Sequence, residues 1–146
     1  MAIEIRHRVV IHRPAADIFA AVTDFAAEPQ WQPAVLASRH TPPGPVQVGT
    51  RTHQARRFFG RRIEATAEVT AFEPDRLMVC ISTPEVSPVV QTTYVLEPDD
   101  GGTALTFIIT LGTPGAMRLF VPMIKRSLTK DVTTRFATLK RQMETR

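Results

Sequence analysis

Seven apolar side chains near the C-terminus constrain this chain more than any other feature. Phe120, Ile124, Leu128, Val132, Phe136, Leu139 and Met143 follow one another at spacings of four, four, four, four, three and four. At 100° per residue they fall within an arc of about 160°, the pattern of one helix stripe. Lys125, Arg126, Lys130, Asp131, Arg135, Lys140, Arg141 and Glu144 are assigned to an opposite, wet face. The spacing predicts a helix over residues 119–143. Pro122 falls in its first turn, where a missing N–H costs little, and Gly112, Pro114 and Gly115 separate it from what precedes. Burying seven such side chains contributes at most ~10–20 kcal/mol. A helix this one-sided needs a broad apolar surface to lie on.

The preceding residues supply that surface as strands. Over residues 2–12, Ile3, Ile5, His7, Val9 and Ile11 share one parity and Glu4, Arg6, Arg8 and His12 the other. Pro14 opens a short helix carrying Ile18, Phe19, Val22 and Phe25, and a second short helical or turn segment over 26–32 ends at Pro33. Further strands are predicted at 35–41, 49–58, 62–72, 77–82, 89–97 and 103–111. Pro42-Pro43-Gly44-Pro45, Phe59-Gly60, Glu73 to Arg76, the loop bounded by Pro84 and Pro88, and Pro98 to Gly102 separate them. In the strand over 62–72, Ile63, Ala65, Ala67, Val69 and Ala71 form a dry face, and their small size leaves room beneath a helix. The facing of 49–58 depends on turn length. A two-residue turn sends Gln54, Arg56 and Phe58 inward; a three-residue loop sends His53, Ala55 and Arg57. The expectation is an α+β architecture: a curved antiparallel sheet of six or seven strands wrapped around the long C-terminal helix, with two short helices after the first strand.

Length and composition fit one domain over residues 1–146, with hydrophobic content of 43% and charged content of 22%. No stretch approaches the ~20 apolar residues of a membrane span, and the charged, alternating N-terminus is no secretory signal. A lone Cys80 excludes an internal disulfide, so a cytoplasmic location is expected. The excess of 18 basic over 14 acidic residues is scattered. Its densest cluster, Arg56, Arg57, Arg61 and Arg62 around Phe58-Phe59-Gly60, reads first as a solvated hairpin end. A nucleic-acid partner is therefore not expected.

Four stretches carry a family resemblance. They are Ile11 to Phe19, where a strand runs into a helix; Trp31-Gln32-Pro33-Ala34-Val35; Gly102 to Thr106; and Leu139 to Glu144. In their order and spacing the chain resembles the START/Bet v 1-like (SRPBCC) superfamily of helix-grip proteins, and within it the bacterial polyketide cyclase/dehydrase-like branch. The resemblance implies a deep, mostly apolar cavity between sheet and helix. It implies no particular reaction, because the superfamily includes lipid carriers, receptors, cyclases and hydrolases.

Chemistry-bearing residues are sparse. His7, His12, His40 and His53 lack metal-site spacing, so no metal and no cofactor are expected. No nucleophile elbow or phosphate loop is present, and Cys80 reads as an inert small residue. His7 and Tyr94 put polar groups on dry parities, which makes them the candidates for orienting a ligand or for acid–base work. Trp31, Tyr94, Phe107, Phe120, Ile124 and Leu128 are expected to line a cavity of ~300–1,000 Å³. The leading functional expectation is binding of a small hydrophobic or aromatic molecule, by a monomer or homodimer. The alternatives are a cyclase or dehydratase using His7 and Tyr94, and a lipid- or quinone-transfer or RNA/ribosome-interacting module using the basic surface.

Overall fold

A computed structural model describes residues 2–85, 88–113 and 115–145, so Pro114 lies outside the described residues. Strand β1 (Ala2–Ile11) leads into helix α1 (Ala15–Thr23) and a 3-10 segment, Phe25–Gln30. Six strands follow: β2 (Val35–Thr41), β3 (Arg51–Phe58), β4 (Arg61–Glu73), β5 (Leu77–Ser82), β6 (Val90–Asp99) and β7 (Gly102–Gly112). A second 3-10 segment, Gly115–Phe120, runs into helix α2 (Val121–Glu144). The helix therefore starts two residues later than its spacing predicts, with its entry wound more tightly.

The seven strands form one curved antiparallel sheet in the order β1-β7-β6-β5-β4-β3-β2. β1 and β2 are consecutive strands at opposite edges, and α1 with the first 3-10 segment makes the crossing between them. Two tight hairpins fix the register. Phe59 and Gly60, both at positive φ, join β3 to β4 so that Phe58 pairs with Arg61; this mirror-image turn matches the strands' twist. Asp100 and Gly101 do the same for β6 and β7, so β6 runs through Pro98 and Asp99, where the sequence suggested a turn.

The dry face of β4 departs from its alternation. The pairing shifts between Val69 and Ala71, so that Val69 pairs with Cys80 and Phe72 with Met78. A bulge of this kind adds one residue and exchanges parity beyond it. Phe72, not Ala71, thus reaches the core, where its ring lies 5.3 Å from that of Phe19.

The helix stripe divides into two halves. Val132, Phe136, Leu139 and Met143 are buried in the core with Ile3, Ile5, Ile11 and Leu105. Phe136 is the hub: Phe107, Trp31, His7 and Tyr94 all place rings 4.9–6.3 Å from it. Hydrogen bonds pin this end down, from Lys140 Nζ to the Val10 carbonyl, from Gln142 to the Gln30 carbonyl and from the His12 amide to Glu144. The first half is different. Phe120 is 51% exposed and Leu128 only partly buried against the core, so of this half of the stripe Ile124 alone is buried. Two residues assigned to the wet face are also misplaced there, since Arg135 is buried at 3% exposure and Asp131 is half-buried.

Candidate functional site

Where the first half of α2 stands off the sheet, a cavity of about 1020 Å³ opens between them. This is at the upper limit of the volumes typical of small-molecule sites. Ile124 and Leu128 form its helical side; Ala65, Ala67, Met78, Val90, Ile109 and Leu111 form much of the sheet side. The small side chains of β4 provide depth, and the larger ones of β5 to β7 provide apolar contact.

Of the residues predicted to line it, Tyr94, Phe120, Ile124 and Leu128 stand in the wall. Trp31 and Phe107 do not. Both are buried behind it in the aromatic cluster around Phe136, Trp31 at 5.6 Å and Phe107 at 4.9 Å. His7 is outside the wall as well. Its ring stacks on Phe136 at 5.8 Å, and burial lowers its pKa, favouring the neutral imidazole. His7 and Tyr94 therefore do not converge on one cavity surface.

The inner end of the cavity carries a polar cluster instead. The two-residue turn at Phe59-Gly60 selects the parity that sends Thr52, Gln54, Arg56 and Phe58 inward. Arg56 reaches Asp131 of α2 at 3.5 Å, and Arg135, one helical turn on, holds the same carboxylate at 2.5 Å. From the other side, Glu28 is buried and accepts hydrogen bonds from Gln32 at 2.8 Å, Ser38 at 2.5 Å and Gln54 at 3.3 Å. Glu28, Gln32, Gln54, Arg56, Tyr94 and Arg135 all contribute to the wall.

The hydrogen bonding of this cluster is incomplete. The Nε donors of both Arg56 and Arg135 are buried with no partner among the described residues. Buried polar groups are nearly always satisfied, and an unpaired donor costs ~1–3 kcal/mol. Two at one place mark a cationic cluster whose hydrogen-bonding capacity the protein's own groups leave partly unused. The arginines also lie close enough that burial, then the charge of Arg135, lowers the pKa of Arg56. Burial raises the Glu28 pKa despite the opposing hydrogen bonds from Ser38 and Gln54. Burial, followed by the charge of Glu28, also raises the pKa of the Tyr94 phenol. Cys80, in the same wall, is a protonated thiol whose pKa is pushed up to about 12 by burial. Among the described residues no group of three His, Cys, Asp or Glu side chains is placed to hold a metal ion.

Sequence reasoning missed Glu28, Gln32 and Arg135 and left Gln54 and Arg56 open. A signal existed for the helical pair. Asp131 and Arg135 lie about 60° and 20° from Leu128 around the helix, inside the arc of the apolar stripe.

Comparison with known proteins gives one family and many structures of the same fold. The family model described as polyketide cyclase / dehydrase and lipid transport matches residues 2–144. No curated protein matches the sequence. A START superfamily protein from Mycobacterium smegmatis superposes with a TM-score of 0.79 at 15% identity, covering 97% of each chain. A Thermus thermophilus protein superposes at 0.81 and 16% identity, also over 97% of each. The Zhui aromatase/cyclase from a Streptomyces species reaches 0.81 at 12% identity, covering 99% of this chain and 94% of its own. At such identities the likeness is one of fold.

Proposed function

The chain belongs to the polyketide cyclase / dehydrase and lipid transport family, and from that premise we propose that it binds a small amphipathic molecule. An apolar, preferably aromatic body occupies the cavity, and an anionic or strongly hydrogen-bond-accepting head meets Arg56 and Arg135. The observation that carries this is the pair of guanidinium groups, Arg56 and Arg135, that share one carboxylate, Asp131, in the wall of a largely apolar cavity. An anionic acceptor there balances the second cation, and the surrounding low dielectric strengthens the contact. Tyr94, also in the wall, adds a hydroxyl that can donate or accept. The test compares two fluorescent dyes of one shape, 1-anilinonaphthalene-8-sulfonate and its uncharged parent N-phenyl-1-naphthylamine. The sulfonate is expected to bind at least about tenfold more tightly, from one charge-assisted hydrogen bond of ~1.5–3 kcal/mol. Equal affinities, or tighter binding of the neutral dye, would leave the proposal without its head group.

One observation favours a second reading, an acid–base enzyme of cyclase or dehydratase type. Glu28 shares the wall with Tyr94 and holds its proton more tightly than an ordinary carboxyl. In such an enzyme Glu28 would take a proton from carbon α to a ketone while the arginines stabilise the enolate oxygen. The acid–base role then falls to Glu28 rather than to His7. Incubation with a short poly-β-ketone thioester should produce an aromatic absorbance that Glu28→Gln abolishes; no product above the uncatalysed rate rejects this reading.

A further inference from the structure

We propose that the mouth of the cavity is a docking surface for an anionic lipid bilayer. The mouth has two prongs. One is the β3–β4 hairpin tip, where Phe58 and Phe59 form an edge-on ring pair at 4.5 Å and Phe59 is 51% exposed. The other is the entry to α2, where Leu119 is 87% exposed and Phe120 and Met123 are each 51% exposed. Phe58, Phe59, Phe120 and Met123 all line the one cavity while remaining exposed, so both prongs belong to its rim. Scattered exposed apolar residues are ordinary, but large ones gathered around one opening mark an interaction site.

Charge says what the partner is. Arg57, Arg61 and Arg62 flank the aromatic tip, and Arg118, Lys125 and Arg126 flank the exposed residues of the helix entry; all six are exposed. Against these six cations the neighbouring acidic residues are Glu64, paired loosely with Arg62 at 3.8 Å, and Glu85. Protruding apolar tips interleaved with arginines suit a surface that is negative outside and fluid within, because the tips need no matching pockets. A nucleic acid would satisfy the arginines but leave the apolar tips in water. Continuity with the cavity adds a reason. An apolar molecule passing between bilayer and cavity at this mouth would avoid crossing water.

Vesicle binding needs nothing in the cavity, so its outcome is separate from that of the ligand proposal. Sedimentation with vesicles of pure phosphatidylcholine, and of phosphatidylcholine with about 30% phosphatidylserine, is the test. Binding to the anionic vesicles is expected to be at least about tenfold tighter, and to weaken as salt rises from about 0.1 to 0.5 M. Arg61→Gln with Arg62→Gln should weaken it by roughly 10–25-fold, at about fivefold per basic residue. Leu119→Ser should also weaken it, whereas Arg76→Gln, in the turn beyond the far end of β4, should not. None of these residues lines the cavity, so retained helix signal and neutral-dye affinity establish that each variant is folded. No preference for anionic vesicles overturns the proposal, as does full binding by either mouth variant. Tight binding to RNA or an acidic protein, with vesicles left unbound, overturns it too.

Discussion

Replacing Arg135 with Met separates the two jobs this residue performs. Its side chain is 3% exposed, with Nη2 at 2.5 Å from Asp131, and its guanidinium lies 5.5 Å from the centre of the Phe107 ring. Removing one member of a buried ion pair typically costs ~3–5 kcal/mol, because the other charge is stranded. Asp131 is not stranded here, since it is 22% exposed and keeps Arg56 at 3.5 Å. Losing one of two adjacent guanidinium groups also relieves their repulsion. The net loss of stability is therefore placed at ~1–2 kcal/mol, or ~2–8 °C in Tm for a chain of this size. Methionine replaces the arginine stem in volume and keeps its contact with Phe107, so the cavity retains its shape. Binding should respond differently for the two dyes. The sulfonate should lose ~1.5–3 kcal/mol, about 10- to 150-fold in Kd, while the neutral dye stays within about threefold. Fluorescence titration of both dyes in one buffer reads this directly. Equal weakening would mean that the cavity had changed shape, and an unchanged sulfonate affinity would mean that the head group sits elsewhere. Either result refutes the reasoning.

Three further outcomes follow from the same geometry. Because burial raises the Glu28 pKa, the native state binds that proton more tightly than the unfolded chain. Its contribution to stability is full below the ordinary carboxyl value of 4.5 and is lost as pH rises through the raised value. Glu28→Gln should flatten the denaturation midpoint over that window, and the permanently ionised sulfonate should bind the native protein more tightly as pH falls through it. Cys80, with its pKa pushed up to about 12, should react with iodoacetamide at pH 8 roughly 10³-fold more slowly than a free cysteine; rapid labelling would contradict its burial. Phe136→Ala should cost ~3–5 kcal/mol in denaturant unfolding, whereas Leu128→Ala, opening onto existing space, should cost less than ~2; the reverse order would mean that the two halves of the stripe are exchanged.

The architecture was legible because it rests on periodicity. The alternation of the strands and the stripe of α2 repeat over many residues, so single errors do not disturb them. The site was harder to read because each of its residues depends on one local decision. Arg56 and Gln54 face inward only because the hairpin turn at Phe59-Gly60 has two residues, not three. Phe72 replaces Ala71 because one extra residue enters β4 at the bulge. Arg135 and Asp131 were assigned to water by their charge, although their angular positions placed them in the stripe. Glu28 belongs to a short 3-10 segment with no period to read, and its partners Ser38 and Gln54 come from two different strands. Burial of a charge is a tertiary event, and only the neighbours reveal it.

The claim that an anionic head meets Arg56 and Arg135 is tested most directly by nuclear magnetic resonance of the arginine Nε–H groups. Buried donors exchange slowly enough to be followed, and Arg56→Lys and Arg135→Met assign the two signals. Adding 1-anilinonaphthalene-8-sulfonate should shift both resonances, while N-phenyl-1-naphthylamine should move the methyl signals of Ile124 and Leu128 and leave both arginines in place. Methyl shifts with the sulfonate but no movement of either arginine resonance would contradict the account.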